Sequence, residues 1–111
     1  MSDDKEAKLA KYKEDAEAQL KQVGESNIDD AELSGLVNNL KLVIENRDAI
    51  YVAGTDASEL ETVRKNFIEK KCGVSDKDKG TAVAQKVADK MSGIQNKNRA
   101  AFYYLCKKEL G

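Results

Sequence analysis

Histidine, proline and tryptophan are absent from this chain of 111 residues, and only two cysteines are present. Without histidine there is no Ser-His-Asp or Cys-His catalytic arrangement and no imidazole ligand for zinc or haem. Cys72 and Cys106 are too few for a four-cysteine zinc site and are not spaced as a CxxC motif. We therefore predict no metal site, no cofactor and no catalytic residue. We expect a protein that is not an enzyme, since no pair among its carboxylates and tyrosines stands out.

Long apolar runs are also missing. No stretch of about 18 apolar residues is available to span a membrane, and the first 30 residues contain no apolar core of a secretory signal. The sequence has no GxGxxG, P-loop, GxSxG or EF-hand motif. Two isolated thiols without a signal peptide are typical of a reducing cytoplasm. We predict a cytoplasmic protein without membrane association, in which both thiols remain free.

What is present favours helix along the whole chain, because β-branched runs are scarce and proline is lacking. Apolar residues recur at helical spacing in five segments. These segments run from about 3–23, 30–45, 58–72, 81–91 and 97–110. Residues 49–53 form a further apolar run, which we interpret as a short helix rather than an extended segment. The prediction is an all-α, compact single-domain bundle over residues 1–111, with about five helices plus one short helix.

The second and first segments differ in the width of their apolar stripes. The second has a wide stripe, which predicts the central helix of the core. Its stripe consists of Leu33, Leu36, Val37, Leu40, Val43 and Ile44, with Leu42 pointing the other way. The first has a seam only about 80° wide, enough for one neighbour. It can pack on the domain, which we favour, or remain partly independent and pair with a second copy in a homodimer.

Charge is divided unevenly, although the net charge of −1 argues against a general nucleic-acid coat. Residues 1–61 carry seven basic and fifteen acidic side chains, whereas residues 62–111 carry twelve basic and five acidic ones. One interpretation is that the two halves complement each other on folding, or simply carry solvated surfaces. The other is that the basic half binds an acidic partner, or that the chain associates head to tail.

The last segment, for which we predict a cap at Asn96, carries a basic face. On a helical wheel Lys97, Tyr104, Lys107 and Lys108 lie opposite the apolar arc. An aromatic ring among lysines is the pattern of a surface that binds phosphates or stacks on bases. The same pattern also fits a solvated face with lysines near the helix C-terminus, where the dipole favours cations.

The segment over residues 58–72 places two cations, Arg64 and Lys71, between two lobes of its apolar stripe. Cations on an apolar stripe need an explanation. Their apolar stems can be buried while their charged groups reach water. They can pair with carboxylates of the acidic half, such as Glu45 or Asp48. They can also line an anion pocket. Arg99 raises the same question, because it falls near the inward arc of the last segment.

Three stretches of the sequence stand out together: residues 46–49 (NRDA) leading to 55–56 (TD), residues 59–67 (ELETVRKNF) and residues 98–105 (NRAAFYYL). They resemble a small bacterial family known only as domain of unknown function 2853. A leading helix that contains Lys11-Tyr12 and closes at Gly24 completes the likeness, which covers nearly the whole chain. The resemblance implies a small, soluble, all-helical bacterial protein and no particular activity.

Three functions are compatible with these observations. The first is a non-enzymatic protein-interaction or adaptor module that uses the basic half or the first helix, including in self-association. The second is a nucleic-acid-binding helical module, and the third is a small anion-ligand site near Arg64 and Lys71. We rank them in that order. The candidate binding residues are Arg64, Lys71, Lys97, Arg99, Tyr104, Lys107 and Lys108.

Overall fold

A computed structural model describes residues 2–110 of the chain and the side chains of residues 5–46 and 49–110. This part of the chain contains six α-helices. The helices are α1 (Ser2–Gln22), α2 (Asp30–Asn38), α3 (Arg47–Ile50), α4 (Ala57–Val63), α5 (Lys77–Lys90) and α6 (Arg99–Leu110). Two short strands, β1 (Tyr51–Val52) and β2 (Lys97–Asn98), a 3₁₀ turn and a stretch of π-helix are also present in this part of the chain. The predicted all-α class is confirmed, with five helices and the four-residue α3.

Aspartates cap three of these helices. The carboxylates of Asp29, Asp56 and Asp76 each accept a hydrogen bond from a backbone N–H in the first turn of α2, α4 and α5. Because Asp76 is a cap, α5 begins at Lys77 rather than at residue 81, and the loop predicted up to residue 80 is mostly helix. The C-terminal end of α1 is set by Gly24, whose φ of +96° stops the helix where the sequence predicted.

The second segment is shorter than predicted because α2 ends at Asn38. A 3₁₀ turn over Lys41–Val43 follows, with hydrogen bonds from residue 40 to 37 and from 43 to 40. A change from 3.6 to 3.0 residues per turn shifts the phase of the apolar stripe. Val43, predicted to be inside, is therefore 37% exposed, and Leu42 is 89% exposed.

The helix that begins with α4 widens as it continues. Residues Arg64–Glu69 form π-helical turns, and the N–H of Cys72 reaches back five residues to the carbonyl of Phe67 at 3.0 Å. Gly73, with a φ of +72°, ends this segment as predicted. Val74 then packs on the core, and its N–H bonds to the carbonyl of Ile68.

The apolar run at 49–53 is only partly helical. After α3 the chain extends into β1, which pairs antiparallel with β2 so that Tyr51 faces Asn98 and Val52 faces Lys97. Since residues 97 and 98 are extended, α6 begins at Arg99. Its cap is Asn98, whose Oδ1 accepts from the N–H of Ala101 at 3.1 Å, and not Asn96.

The central helix of the core is α6, not the second segment as predicted. Seven of its twelve residues are buried, compared with three of nine in α2. It packs against α1, α2, α5 and the π-helical turns. The seam of α1 is buried at Leu9, Tyr12, Ala16 and Leu20, against α2, α6 and β2. The seam that could have joined two copies is therefore covered within one chain.

Candidate functional site

Arg99 is a buried link between distant segments. Its Nε donates to the carbonyl of Ala49 at 2.5 Å, and its Nη2 donates to the carbonyl of Tyr51 at 3.1 Å and to the carboxylate of Glu59. Its Nη1 donates to the hydroxyl of Tyr103 at 3.0 Å. The guanidinium thus ties α6 to β1 and α4. Its place near the inward arc was predicted, and its hydrogen bonds are taken up by the protein itself.

Arg64 is also buried, with a side chain only 6% exposed. Its Nε and Nη2 bind the carboxylate of Glu61 at 3.1 and 2.6 Å, and its Nη1 binds Glu69 at 3.0 Å. Both partners come from its own helix: Glu61 is the last residue of the acidic half, and Glu69 lies in the basic half. Of the suggested partners, Glu45 pairs with Lys8, and the side chain of Asp48 lies outside the described residues.

Two carboxylates surround the guanidinium of Arg64 and compensate its charge. Hydrogen bonding to Arg64 lowers the pKa of the Glu61 carboxyl, so this partner stays charged. The stem of Arg64 crosses Gly80 of α5, where an added Cβ would lie 2.8 Å from Arg64 Cγ. The geometry supports the first two explanations together: the stem is buried, and the charged group is paired.

Lysines of α6 reach acidic residues of the first half of the chain. Lys107 pairs with Glu32, and Lys108 pairs with Glu25, which also lies 3.5 Å from Lys90. The hydrogen bond from Lys108 lowers the pKa of Glu25, against the effect of burial. At these pairs the two oppositely charged halves complement each other, as the first interpretation of the charge pattern predicted.

The remaining residues of the predicted basic face are not on the surface. Tyr104 is buried, and its hydroxyl accepts from the backbone N–H of Asp29 at 2.8 Å. Lys97 is buried, and its Nζ donates to the carbonyl of Ile94 at 2.8 Å. The prediction that these two side chains are exposed is wrong. Lys97 lies in a strand, and the segment before α2 covers the side of α6 that holds Tyr104.

A polar network that the sequence did not reveal holds β2 against α1. The Nδ2 of Asn98 donates to the carbonyl of Tyr12 and to the carboxylate of Asp15, both at 3.1 Å. Gln19 accepts from the N–H of Asn98 at 2.8 Å and donates to the carbonyl of Asn96 at 2.9 Å. These partners lie 77 to 86 residues apart in the chain, so no local pattern could have predicted the contacts.

Two of the predicted residues, Lys71 and Lys107, line one concave surface. This groove, which we call the α2–α6 groove, has a volume of about 450 Å³. Its walls come from α2, the π-helical turns and α6. It is lined by Leu36, Asn39, Leu40, Asn66, Phe67, Lys71, Cys72, Tyr103 and Lys107. The rings of Phe67 and Tyr103 stack at 4.0 Å between centroids, 9° from parallel, and form a flat apolar patch.

The side chains that line this groove are suited to binding a partner. Burial raises the pKa of the Cys72 thiol, which disfavours the nucleophilic thiolate. Lys71 is exposed, and no carboxylate among residues 5–46 and 49–110 forms an ion pair with it. The groove therefore combines apolar and aromatic surface with one available ammonium group.

No helix within 2–110 is both long and apolar enough to cross a membrane. No cluster of three or more metal-ligating side chains occurs among the side chains described.

Comparison with known proteins identifies a family. The family model described as Protein of unknown function (DUF2853) matches residues 11–111. No curated protein matches the chain.

Proposed function

Because the chain belongs to the DUF2853 family, whose description names no activity, we propose from the structure that it is a non-enzymatic protein-interaction module. The interaction surface is the α2–α6 groove together with the adjoining 3₁₀ turn over Lys41–Val43. The observation that carries the proposal is the exposure of Leu42 and Val43, two and three residues after a groove-lining residue, Leu40.

A single exposed leucine on a soluble protein needs no explanation, but a continuous apolar surface does. Here the exposed pair lies two and three residues after Leu40 of the groove wall, with Lys41 between them, and the Phe67–Tyr103 stack lies in the groove itself. Aromatic side chains in a desolvated pocket contribute strongly to protein interfaces. The arrangement suits a partner segment with an apolar side chain for the groove.

The charge of the groove defines the partner further. Lys71 has an unused ammonium, whereas Lys107 already pairs with Glu32. A partner carboxylate could pair with Lys71 without breaking an existing ion pair. We therefore commit to an acidic partner segment that places an apolar side chain beside a carboxylate. Such complementarity sets specificity and the association rate more than affinity.

Nucleic-acid binding has less support. Lys97 and Tyr104 of the predicted basic face are buried. Its two other lysines, Lys107 and Lys108, are paired with carboxylates. Phosphate binding would have to compete with those pairs. The free thiols of Cys72 and Cys106 support a reducing, cytoplasmic location, which is part of the proposal.

A photo-crosslinking amino acid at position 42 tests the proposal in cells. We expect a distinct protein adduct that is lost when Lys71→Glu is added, because the substitution reverses the charge that the partner recognises. Position 79, an exposed lysine of α5 outside the groove lining, is the control site, and Lys79→Glu is the control charge change.

Two outcomes would count against the proposal. Adducts identical at positions 42 and 79 would mean that the groove has no specific partner. An adduct of twice the mass of the chain, with a dimer in light scattering, would identify a second copy as the occupant and overturn the acidic-partner form.

A further inference from the structure

Lys97 differs from the other buried cations of the described chain. It is only 6% exposed, like Arg64 and Arg99 at 5% and 7%. Each arginine is paired with a carboxylate, but no carboxylate among the described side chains pairs with Lys97. Its ammonium has three N–H donors, and the carbonyl of Ile94 accepts one of them. A buried lysine is normally paired, since burying an isolated charge is costly.

The side chain of Lys97 lines a second concave surface, the α4–α5 groove, with a volume of about 440 Å³. That volume is within the range of small-molecule sites. Neutral hydrogen-bonding groups of Thr55, Gln85 and Ser92 also line it. Gly54 belongs to the same wall, and a Cβ there would lie 2.7 Å from Lys97 Cε. The stem of the lysine thus occupies space that only glycine leaves open.

Two carboxylates limit the charge that the groove can accept. Glu61 is neutralised by Arg64, whereas Asp89 accepts a hydrogen bond from Gln85 at 3.0 Å and has no cationic partner among the residues described. A ligand with two negative charges would be repelled by Asp89. A ligand with one carboxylate would neutralise Lys97, and an amino group on it would be attracted to Asp89.

We propose that the α4–α5 groove binds a small monocarboxylate, amino acids in particular, with the carboxylate on Lys97 Nζ. This site is separate from the α2–α6 groove, so the two proposals can be tested independently of each other. The ligand supplies the negative charge that the fold does not place beside Lys97. The neutral side chains of the groove offer it further hydrogen bonds.

Amide chemical shifts of the full-length protein test the site with acetate, alanine and inorganic phosphate as probes at constant ionic strength. We expect saturable shifts at Thr55 and Ser92 with acetate and alanine, and weaker binding of phosphate. Lys97→Met should abolish the saturable shifts, whereas Lys86→Met, at an exposed lysine of α5, should leave them unchanged. Asp89→Asn should weaken the binding of alanine several-fold more than that of acetate.

The wild-type titration can by itself overturn the proposal. Shifts that are linear in every probe, or phosphate binding tighter than acetate, would show that no monocarboxylate site exists. Because Lys97→Met removes a buried side chain, Gly54→Ala is a second variant that displaces the lysine tip. We expect at least a tenfold loss of affinity from it, and unchanged affinity in a folded Gly54→Ala protein would also refute the site.

Discussion

Asn98 offers the sharpest test of how the first and last helices are held together. Its Oδ1 caps α6, while its Nδ2 donates to the Tyr12 carbonyl and the Asp15 carboxylate of α1. Its side chain is fully buried. Two substitutions separate these roles: Asn98→Ala removes both, and Asn98→Asp keeps a cap oxygen but turns the donors into an acceptor.

The expected cost follows from these bonds. Loss of a cap costs about 1 kcal/mol, and each lost hydrogen bond costs about 0.5 to 1.5 kcal/mol. Asn98→Ala should therefore lower the free energy of unfolding by about 3 kcal/mol, a large part of the about 5 to 15 kcal/mol typical of a domain. Asn98→Asp should cost more at neutral pH, about 3 to 5 kcal/mol, since it buries a second carboxylate beside Asp15.

The pH dependence of Asn98→Asp has a defined sign. The neighbouring carboxylate raises the pKa of the introduced group in the folded state. The deficit relative to wild type is therefore largest at neutral pH, and it shrinks as pH falls from the raised folded-state pKa of the group towards its unfolded value of about 3.9. Asn98→Ala has no titratable group and should keep a constant deficit.

Urea unfolding followed by circular dichroism measures both variants. Asn96→Ala is the matched control, because only the backbone carbonyl of exposed Asn96 is used, by Gln19. It should change the free energy of unfolding by less than about 0.5 kcal/mol. If Asn98→Asp matched wild type, Asn98 would act as a cap alone and the link to α1 would contribute nothing.

Three further predictions concern other contacts. Glu25→Gln should destabilise the protein above about pH 5 and lose its effect as pH falls, because the lowered pKa of Glu25 gives stability that acid removes; a pH-independent difference in urea midpoints would contradict this. Gly80→Ala should lower the free energy of unfolding by about 1 kcal/mol. The added Cβ overpacks against Arg64 at a cost of about 1 to 3 kcal/mol, which exceeds the gain of about 1 kcal/mol in helix propensity. A higher melting temperature would refute this prediction. Tyr104→Phe should cost about 1 kcal/mol and speed amide exchange at Asp29, which loses its acceptor; unchanged exchange would show that the bond does not form in solution.

Much of the helical structure could be predicted because its signals are local. The spacing of apolar residues located the helices, and Gly24 and Gly73 marked two ends where φ is positive. The predictions failed where the helical repeat itself changes. Val43 is exposed because it lies in the 3₁₀ turn over Lys41–Val43. The last helix, α6, begins only at Arg99 because the two residues before it form a strand. A pattern built on 3.6 residues per turn cannot detect such changes of phase.

The candidate site was less predictable, because its geometry depends on distant segments. Lys71 and Lys107 were both named from the sequence, yet only the packing of the π-helical turns and α2 against α6 brings them into one groove. Tyr104 was assigned to the surface because a wheel shows one helix without its neighbours. Its hydroxyl meets Asp29, 75 residues earlier in the chain. Side-chain exposure is a property of the assembled core, not of one helix.

The most informative sequence signal was a charge in an apolar position. Arg64, Lys71 and Arg99 were singled out for that reason. Both arginines are buried with carboxylates that compensate them, whereas Lys71 is exposed. The same rule applied to the folded chain selects Lys97, which the sequence placed on the solvent face. A buried arginine with a partner is part of the structure. A buried lysine without one leaves a charge uncompensated among the described side chains, and its position in the wall of a groove favours an external anion.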